Sequence, residues 1–247
     1  MDLSVLRDDM VDSLEHPANG VIRSESIALA MRDVPRHLFI SDERAAHADR
    51  SHREAGTTVF APSTTARLLE ALSVESGHTV LVVGAGVGYT SAVIAEIVGP
   101  ANVHAIDLSS RIVRIARQNL RKAGAEKVLV DHGDAANGLP AYAPYDRILV
   151  EAGALEPPRA LLSQLAPDGR LVVPRGGQIQ ELVAYEYGEI IDTYGTIVVD
   201  PLLVPGEEPG AIERNRTARE DREFAARINT RRSGWEQEWI DWEQAND

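Results

Sequence analysis

The chain has no cysteine, and only Lys122 and Lys127 among its 25 basic residues are lysines. Without thiols, disulfides, thiolate metal sites and cysteine nucleophiles are excluded. Aromatic residues make up only 5% of the sequence, and no apolar run approaches the roughly 20 residues of a membrane-spanning helix. Met1-Asp2-Leu3-Ser4 does not begin a secretory leader, so a cytoplasmic setting is expected. The histidines are scattered and His16 precedes a proline, so no metal is expected. Positive charge is also short: the formal net charge is −13 and the pI is near 5.0. Neither nucleic acid nor an anionic membrane is an expected partner, since both need clustered basic residues. Acid excess with almost no lysine resembles proteins of salt-loving organisms; an ordinary acidic protein with arginine-rich codon bias would read the same. In molar salt the screening length falls to about 3 Å, and net charge then restricts partners less than usual.

What is present is enough for a sizeable core: 247 residues, 44% of them apolar, suit one main α/β domain with extensions. The organising stretch is Thr79 to Ala95. Val80-Leu81-Val82-Val83 reads as a buried parallel strand, broken by Gly84-Ala85-Gly86-Val87-Gly88 and followed by an apolar helix from Tyr89. Glycines between a strand and a helix let backbone approach a ligand closely. The dinucleotide fingerprint wants its third glycine at the sixth position. Here that position is Tyr89, and Gly88 comes one residue early. This spacing suits a nucleoside with an amino-acid tail, such as S-adenosylmethionine, whose lack of phosphate would relax the need for tight helix packing. A tight turn without a ligand is the alternative.

Around this stretch the chain alternates between the two periodicities. Helices are expected over 3–16, over 24–31 with Ser24 as a cap, over 64–72, over 109–120 and over 158–165. Strands are expected over 101–106, 127–131, 145–150 and 169–174. The polar segment 41–56 has little periodicity and reads as a covering loop. From Glu181 shorter alternating runs suggest antiparallel edge strands. The expected fold is thus α/β: a doubly wound, Rossmann-like sheet, mostly parallel, with N-terminal helices and a C-terminal helical tail. In that tail Trp235, Trp239 and Trp242 share one helical face, which would dock on the chain's own domain or serve as a partner or dimer contact.

Special residues fall at the strand ends. Asp107, with Leu108 beside it, follows the second strand and could accept hydrogen bonds from both ribose hydroxyls, or stabilise the next helix as an N-terminal acid. Gly133-Asp134-Ala135 follows the third strand; Asp134 could accept an adenine amine and Ala135 offer its N–H, or Asp134 could simply form a turn. Glu151 follows the fourth strand.

Residues ~20 to ~205 resemble the protein-L-isoaspartate O-methyltransferases, a Rossmann-like family using S-adenosylmethionine. The resemblance runs through Val34-Pro35-Arg36-His37-Leu38-Phe39, Gly56-Thr57-Thr58-Val59 with Ala61-Pro62, and Leu81 through Tyr89. It continues in Gly133-Asp134, Pro144 through Val150, the run from Pro158 to Pro174, and Asp200-Pro201-Leu202. It implies methyl-ester formation on the abnormal carboxyl of isoaspartyl residues in damaged proteins, with Gly84 to Tyr89, Asp107, Leu108 and Gly133 to Ala135 around the cofactor. Such a transfer needs alignment more than proton chemistry, because a carboxylate is already a nucleophile.

The sequence departs from the family at the substrate side. Thr58-Val59-Phe60 stands where the family usually has Thr-Ile-Ser, Ser63 where histidine is common, and Glu151 where a small or hydroxyl residue is general. Thr58, Val59, Phe60, Ser63 and Glu151 are therefore the candidate acceptor-side residues, and an ionised Glu151 would repel an incoming carboxylate. A paralogue with another acceptor, such as an amine or small molecule, and a cofactor-binding scaffold are the alternatives to isoaspartyl repair. The expected organisation is 1–56 as N-terminal helices and substrate-side loop, 57–205 as the cofactor-binding domain, and 206–247 as the tail.

Overall fold

The computed structural model describes residues 2–203; the tryptophan stripe and the rest of the tail lie outside them. In chain order the helices are α1 (Leu3–Glu15), α2 (Glu25–Asp33), α3 (Pro62–Leu72), α4 (Tyr89–Val98), α5 (Ser110–Lys122) and α6 (Arg159–Leu162). The strands are β1 (His52–Glu54), β2 (Thr57–Val59), β3 (Val80–Val83), β4 (Val103–Asp107), β5 (Leu129–His132), β6 (Tyr145–Val150), β7 (Leu165–Gly176), β8 (Gln180–Glu186) and β9 (Glu189–Ile197).

Seven strands form one sheet in the order β5-β4-β3-β6-β7-β8-β9. The first five run parallel, and β8 and β9 return antiparallel at one edge. Chain order reverses at β3, whose neighbours are β4 on one side and β6 on the other. A crevice outside the strand ends at such a reversal is where open α/β sheets take ligands.

Strand alternation divides the core in two. Val80, Val82, Ala105 and Leu149 face a cluster shared with α1 through α5, while Leu81, Val83, Ile148 and Val150 face a smaller one. The smaller cluster is covered by Leu161 of α6 and by Ala135 and Ala136 of a single 3-10 turn. The sheet is thus wound on both faces, but unequally. Residues from the 2–56 segment, including Met10, Val11, Ile27 and Met31, belong to the larger core. Arg36 is locked into that core at 0% exposure, its Nε donating to the Ala46 carbonyl and its Nη2 to the Phe60 carbonyl, with its Cζ 4.5 Å from the centre of the Tyr89 ring.

Several sequence expectations need correction. The 41–56 segment is not all loop: β1 and β2 form a hairpin, with His52 opposite Val59. The helix expected over 158–165 is only four residues long, because Leu165 already pairs with Tyr145 as sheet. Ser24 occupies the N-cap position of α2 but makes no capping bond; its hydroxyl pairs with that of Ser26. Its backbone N–H, with that of Arg23, donates instead to the Glu70 carboxylate of α3, at 2.8 Å each. Among the described residues no helix is long and apolar enough to cross a membrane.

Candidate active site

A cavity of about 630 Å³ opens beyond the carboxyl ends of β3, β4 and β6. One wall is the glycine turn. Gly84 and Gly88 have φ of +91° and +94°, which side-chain-bearing residues rarely adopt. Gly84 and Gly86 face the cavity, and a Cβ on Gly86 would point at the Thr57 hydroxyl 4.0 Å away. Gly88 does a different job. A Cβ there would stand 3.2 Å from Leu120 Cγ and 3.4 Å from the Ala116 carbonyl oxygen. The expectation that this loop tolerates loose helix packing is therefore overturned: its last glycine is where α5 presses against the turn. Ala85, Val87 and Tyr89 are buried in the larger core, leaving the cavity to the glycines.

Tyr89 in particular does not present its side chain to the cavity. Its ring packs edge-on against Phe39, 5.5 Å between centroids, and under Arg36. Asp107 sits at the end of β4, on the cavity wall, and its carboxylate holds the start of α5 as read for a helix N-terminal acid. Its Oδ2 accepts from the Gly86 N–H at 3.2 Å and its Oδ1 from the Ser109 N–H at 2.9 Å, so one carboxylate ties the glycine turn to the start of α5. Burial raises its pKa against the pull of these bonds and of nearby His132. Leu108, Ile112 and Ala135 complete an apolar side. Gly133 and Asp134 do not line the cavity. Asp134 is a turn former, accepting from the Ala136 N–H at 3.0 Å and the Asn137 amide at 3.1 Å.

The opposite wall is the acceptor side. Thr58, Phe60 and Glu151 all line the cavity. Val59 is buried in the core, and Ser63 lines a separate cavity of about 370 Å³ beside His47 and Asp49; neither is brought to the site. Ser63 uses its N–H to donate to Asp49 at 2.9 Å. The Thr58 hydroxyl donates to Asp200 Oδ2 at 2.8 Å and accepts from Arg53 Nη1 at 2.7 Å, while Arg53 also pairs with Asp200 at 2.8 Å. Sequence reading missed Arg53; only the hairpin, unreadable from three-residue strands, brings it to the mouth. Asp200-Pro201-Leu202 was visible only as part of the family resemblance, and the structure places it on the cavity wall.

Glu151 is the unusual group. It directly follows β6 at the centre of the sheet, its N–H bound to the Val83 carbonyl at 2.9 Å, and its Oε1 is buried without a hydrogen-bond partner. Burial, reinforced by the negative charge of Asp107 and opposed by the Thr90 hydroxyl, pushes its pKa up to about 7. Burial thus favours the neutral form of a carboxyl group that the sequence reading took as charged.

Do these residues fit the nucleoside sulfonium that the sequence suggested? A glycine wall for an amino-acid tail, a carboxylate at the second strand end and an apolar side for a base are all present, and the volume lies within the range of small-molecule sites. The fold and the cavity together define a Rossmann-like methyltransferase.

Comparison with known proteins narrows this class. The family model for protein-L-isoaspartate(D-aspartate) O-methyltransferase matches residues 7–199, and the chain belongs to that family. A protein-L-isoaspartate O-methyltransferase of Pyrococcus horikoshii is 38% identical over 195 residues, covering 75% of this chain and 88% of its own. A solved structure of a protein-L-isoaspartate O-methyltransferase superposes with a TM-score of 0.68 at 27% identity, covering 83% of this chain and 67% of the other. A Plasmodium falciparum structure of the same description, in complex with S-adenosyl-L-homocysteine, shares the fold at a TM-score of 0.71 and 21% identity, over 80% of this chain and 98% of the other.

Proposed function

We propose that this protein transfers the methyl group of S-adenosylmethionine to the carboxylate of L-isoaspartyl residues in damaged proteins or peptides, the step that opens their repair. The observation that carries the reading is the cavity itself: a glycine and Asp107 wall on one side, an acceptor wall of Thr58, Phe60 and Glu151 on the other, in a chain of this family. When bound, S-adenosylmethionine supplies a methyl group on a positively charged sulfur. Its transfer to a carboxylate oxygen would leave S-adenosylhomocysteine as a neutral thioether and would need no proton from the protein.

The chain's own residues act by placement. Gly84 and Gly86 leave room for the donor's amino-acid tail, Asp107 accepts from its ribose, and the Leu108, Ile112 and Ala135 side packs its base. Thr58 and Arg53 border the mouth where a peptide enters. Holding a nucleophile and a leaving group in line accounts for most of the acceleration in such transfers. We assign the methyltransferase domain, with the donor site and the acceptor wall of Thr58, Phe60 and Glu151, to residues from 57 onward, and to the segment before it the helices and the Arg53 side of the mouth. The acid-rich, lysine-poor composition supports a salty cytoplasm as the setting.

The test is transfer of labelled methyl from S-adenosylmethionine to an isoaspartyl peptide and to its aspartyl twin. Counts in the first and background in the second are expected; equal, negligible counts in both would remove the proposal.

A further inference from the structure

Glu151 has no place in a reaction that needs only alignment, yet it stands at the centre of the acceptor wall. Of the described residues that line the cavity, it alone has a buried side-chain polar atom with no hydrogen-bond partner, Oε1. A buried oxygen without a partner is costly above all when it is charged, and a proton on the carboxyl group lowers that cost.

Several of the other polar groups on the walls are already engaged. Both oxygens of Asp107 accept backbone N–H groups. The Thr58 proton goes to Asp200, and Arg53 is held by Thr58 and Asp200 together. Phe60 contributes no donor. Thr57 has a hydroxyl, but it lies over Gly86, on the side assigned to the donor's tail. Free donors remain at the mouth, on Nε and Nη2 of Arg53. An acceptor carboxylate that passes them to lie between Phe60 and Glu151 meets a benzyl ring on one side and a carboxyl group on the other, which can donate only if it carries a proton. Were Glu151 ionised, the newcomer, Glu151 and Asp107 would bring three negative charges into one partly buried space, which such sites avoid by protonating one member.

We propose that Glu151, as a neutral carboxylic acid, donates a hydrogen bond to one oxygen of the substrate carboxylate, leaving the other free to take the methyl group. This rests on the isoaspartyl reading above and makes Glu151 the residue that selects a carboxylate acceptor. The groups facing it are Asp107 at the end of β4, the Thr90 hydroxyl on α4, and, at the mouth, Arg53 on β1 and Asp200. An acid donating to a carboxylate makes a charge-assisted bond, stronger than one between neutral groups. Once the ester forms, that charge is gone and the bond weakens, so the same contact that holds substrate releases product. An amine acceptor would instead want the ionised form.

Substrate binding should therefore draw in a proton above pH 7, where free Glu151 is mostly ionised. The experiment is calorimetric binding of an isoaspartyl peptide to the full chain loaded with S-adenosylhomocysteine, at pH 8, in buffers of different ionisation enthalpy. Uptake close to one proton per peptide is expected in the unaltered protein, and none in Glu151→Gln, which keeps a donor but cannot titrate. In parallel, kcat/KM of the unaltered enzyme should fall about tenfold per pH unit above pH 7, and Glu151→Gln should lose that fall. Glu151→Ala should be at least tenfold down below pH 7. Binding without proton uptake, or the same pH fall in Glu151→Gln, would overturn the role of Glu151 while leaving isoaspartyl methylation standing. Absence of transfer to the peptide at every pH would overturn both.

Discussion

Gly84 and Glu151 directly follow the adjacent parallel strands β3 and β6, and a Cβ built on Gly84 would stand 3.7 Å from the Cβ of Glu151. The position beside the acceptor acid is thus kept empty by a residue whose φ of +91° already disfavours any side chain. Gly84→Ala should cost about 1–2 kcal/mol of stability from the backbone alone. The added methyl also enters the cavity, so affinity for S-adenosylhomocysteine should drop at least tenfold by calorimetry. Tight binding by a folded Gly84→Ala protein would show that the donor does not use this wall.

Gly88→Ala should behave in the opposite way. Its Cβ would meet Leu120 and the Ala116 backbone and not the cavity. Overpacking of that kind typically costs 1–3 kcal/mol, on top of the strain at φ +94°. The melting temperature should fall by several degrees while the folded fraction still binds S-adenosylhomocysteine with near-normal affinity. Loss of affinity without loss of stability would contradict the packing role.

Two buried groups should give opposing pH dependences over one window. Glu151 has its pKa raised from 4.5 to about 7, so the stability it contributes is full below pH 4.5 and is lost as pH rises through 7. His47 has its pKa lowered from 6.5 to about 4 by burial and by His37, Arg7 and Arg36, so its contribution is full above pH 6.5 and is lost as pH falls through 4. Each shift corresponds to about 3 kcal/mol across its window. Denaturant unfolding between pH 4 and 7 should show a shallow profile in the unaltered chain, a rising one in Glu151→Gln and a falling one in His47→Phe. Parallel profiles in all three would refute the assignment.

Arg53 offers a test of the mouth. Its pairing with Asp200 is exposed, 64% on each side chain, and such pairs are worth little to stability. Arg53→Ala should leave the melting temperature within a degree or two. It should raise KM for the isoaspartyl peptide several-fold and leave affinity for S-adenosylhomocysteine nearly unaltered. A KM that does not move would take Arg53 out of substrate recognition.

Much of this was legible where local signals are strong. The β-branched run Val80–Val83 and the run Tyr145–Val150 gave both central strands with correct bounds. The acid at Asp107 falls at the strand end that its distance from the glycines implied. Legibility failed where contacts between distant segments decide. Three-residue strands at 52–54 and 57–59 are too short for any periodicity, so the hairpin and Arg53 with it stayed hidden. Tyr89 is contiguous with the glycine turn, but Arg36 and Phe39, some fifty residues earlier, draw its ring the other way. Sequence gave the identity of Glu151 but not its protonation, which depends on how the fold buries it.

The strip from Val199 to Leu203 closes one side of the cavity, and it is fastened from afar: Gly153 exchanges two 2.9 Å backbone bonds with Asp200 and Leu202, and the Gln180 side chain grips the N–H of Val199. All seven strands precede this strip in the chain. During translation the sheet can therefore assemble with its ligand hollow still open on one flank, and a chain cut ahead of Val199 would keep its strands but lack a wall. Competence to hold the methyl donor arrives late in the polypeptide's emergence, after the scaffold that supports it.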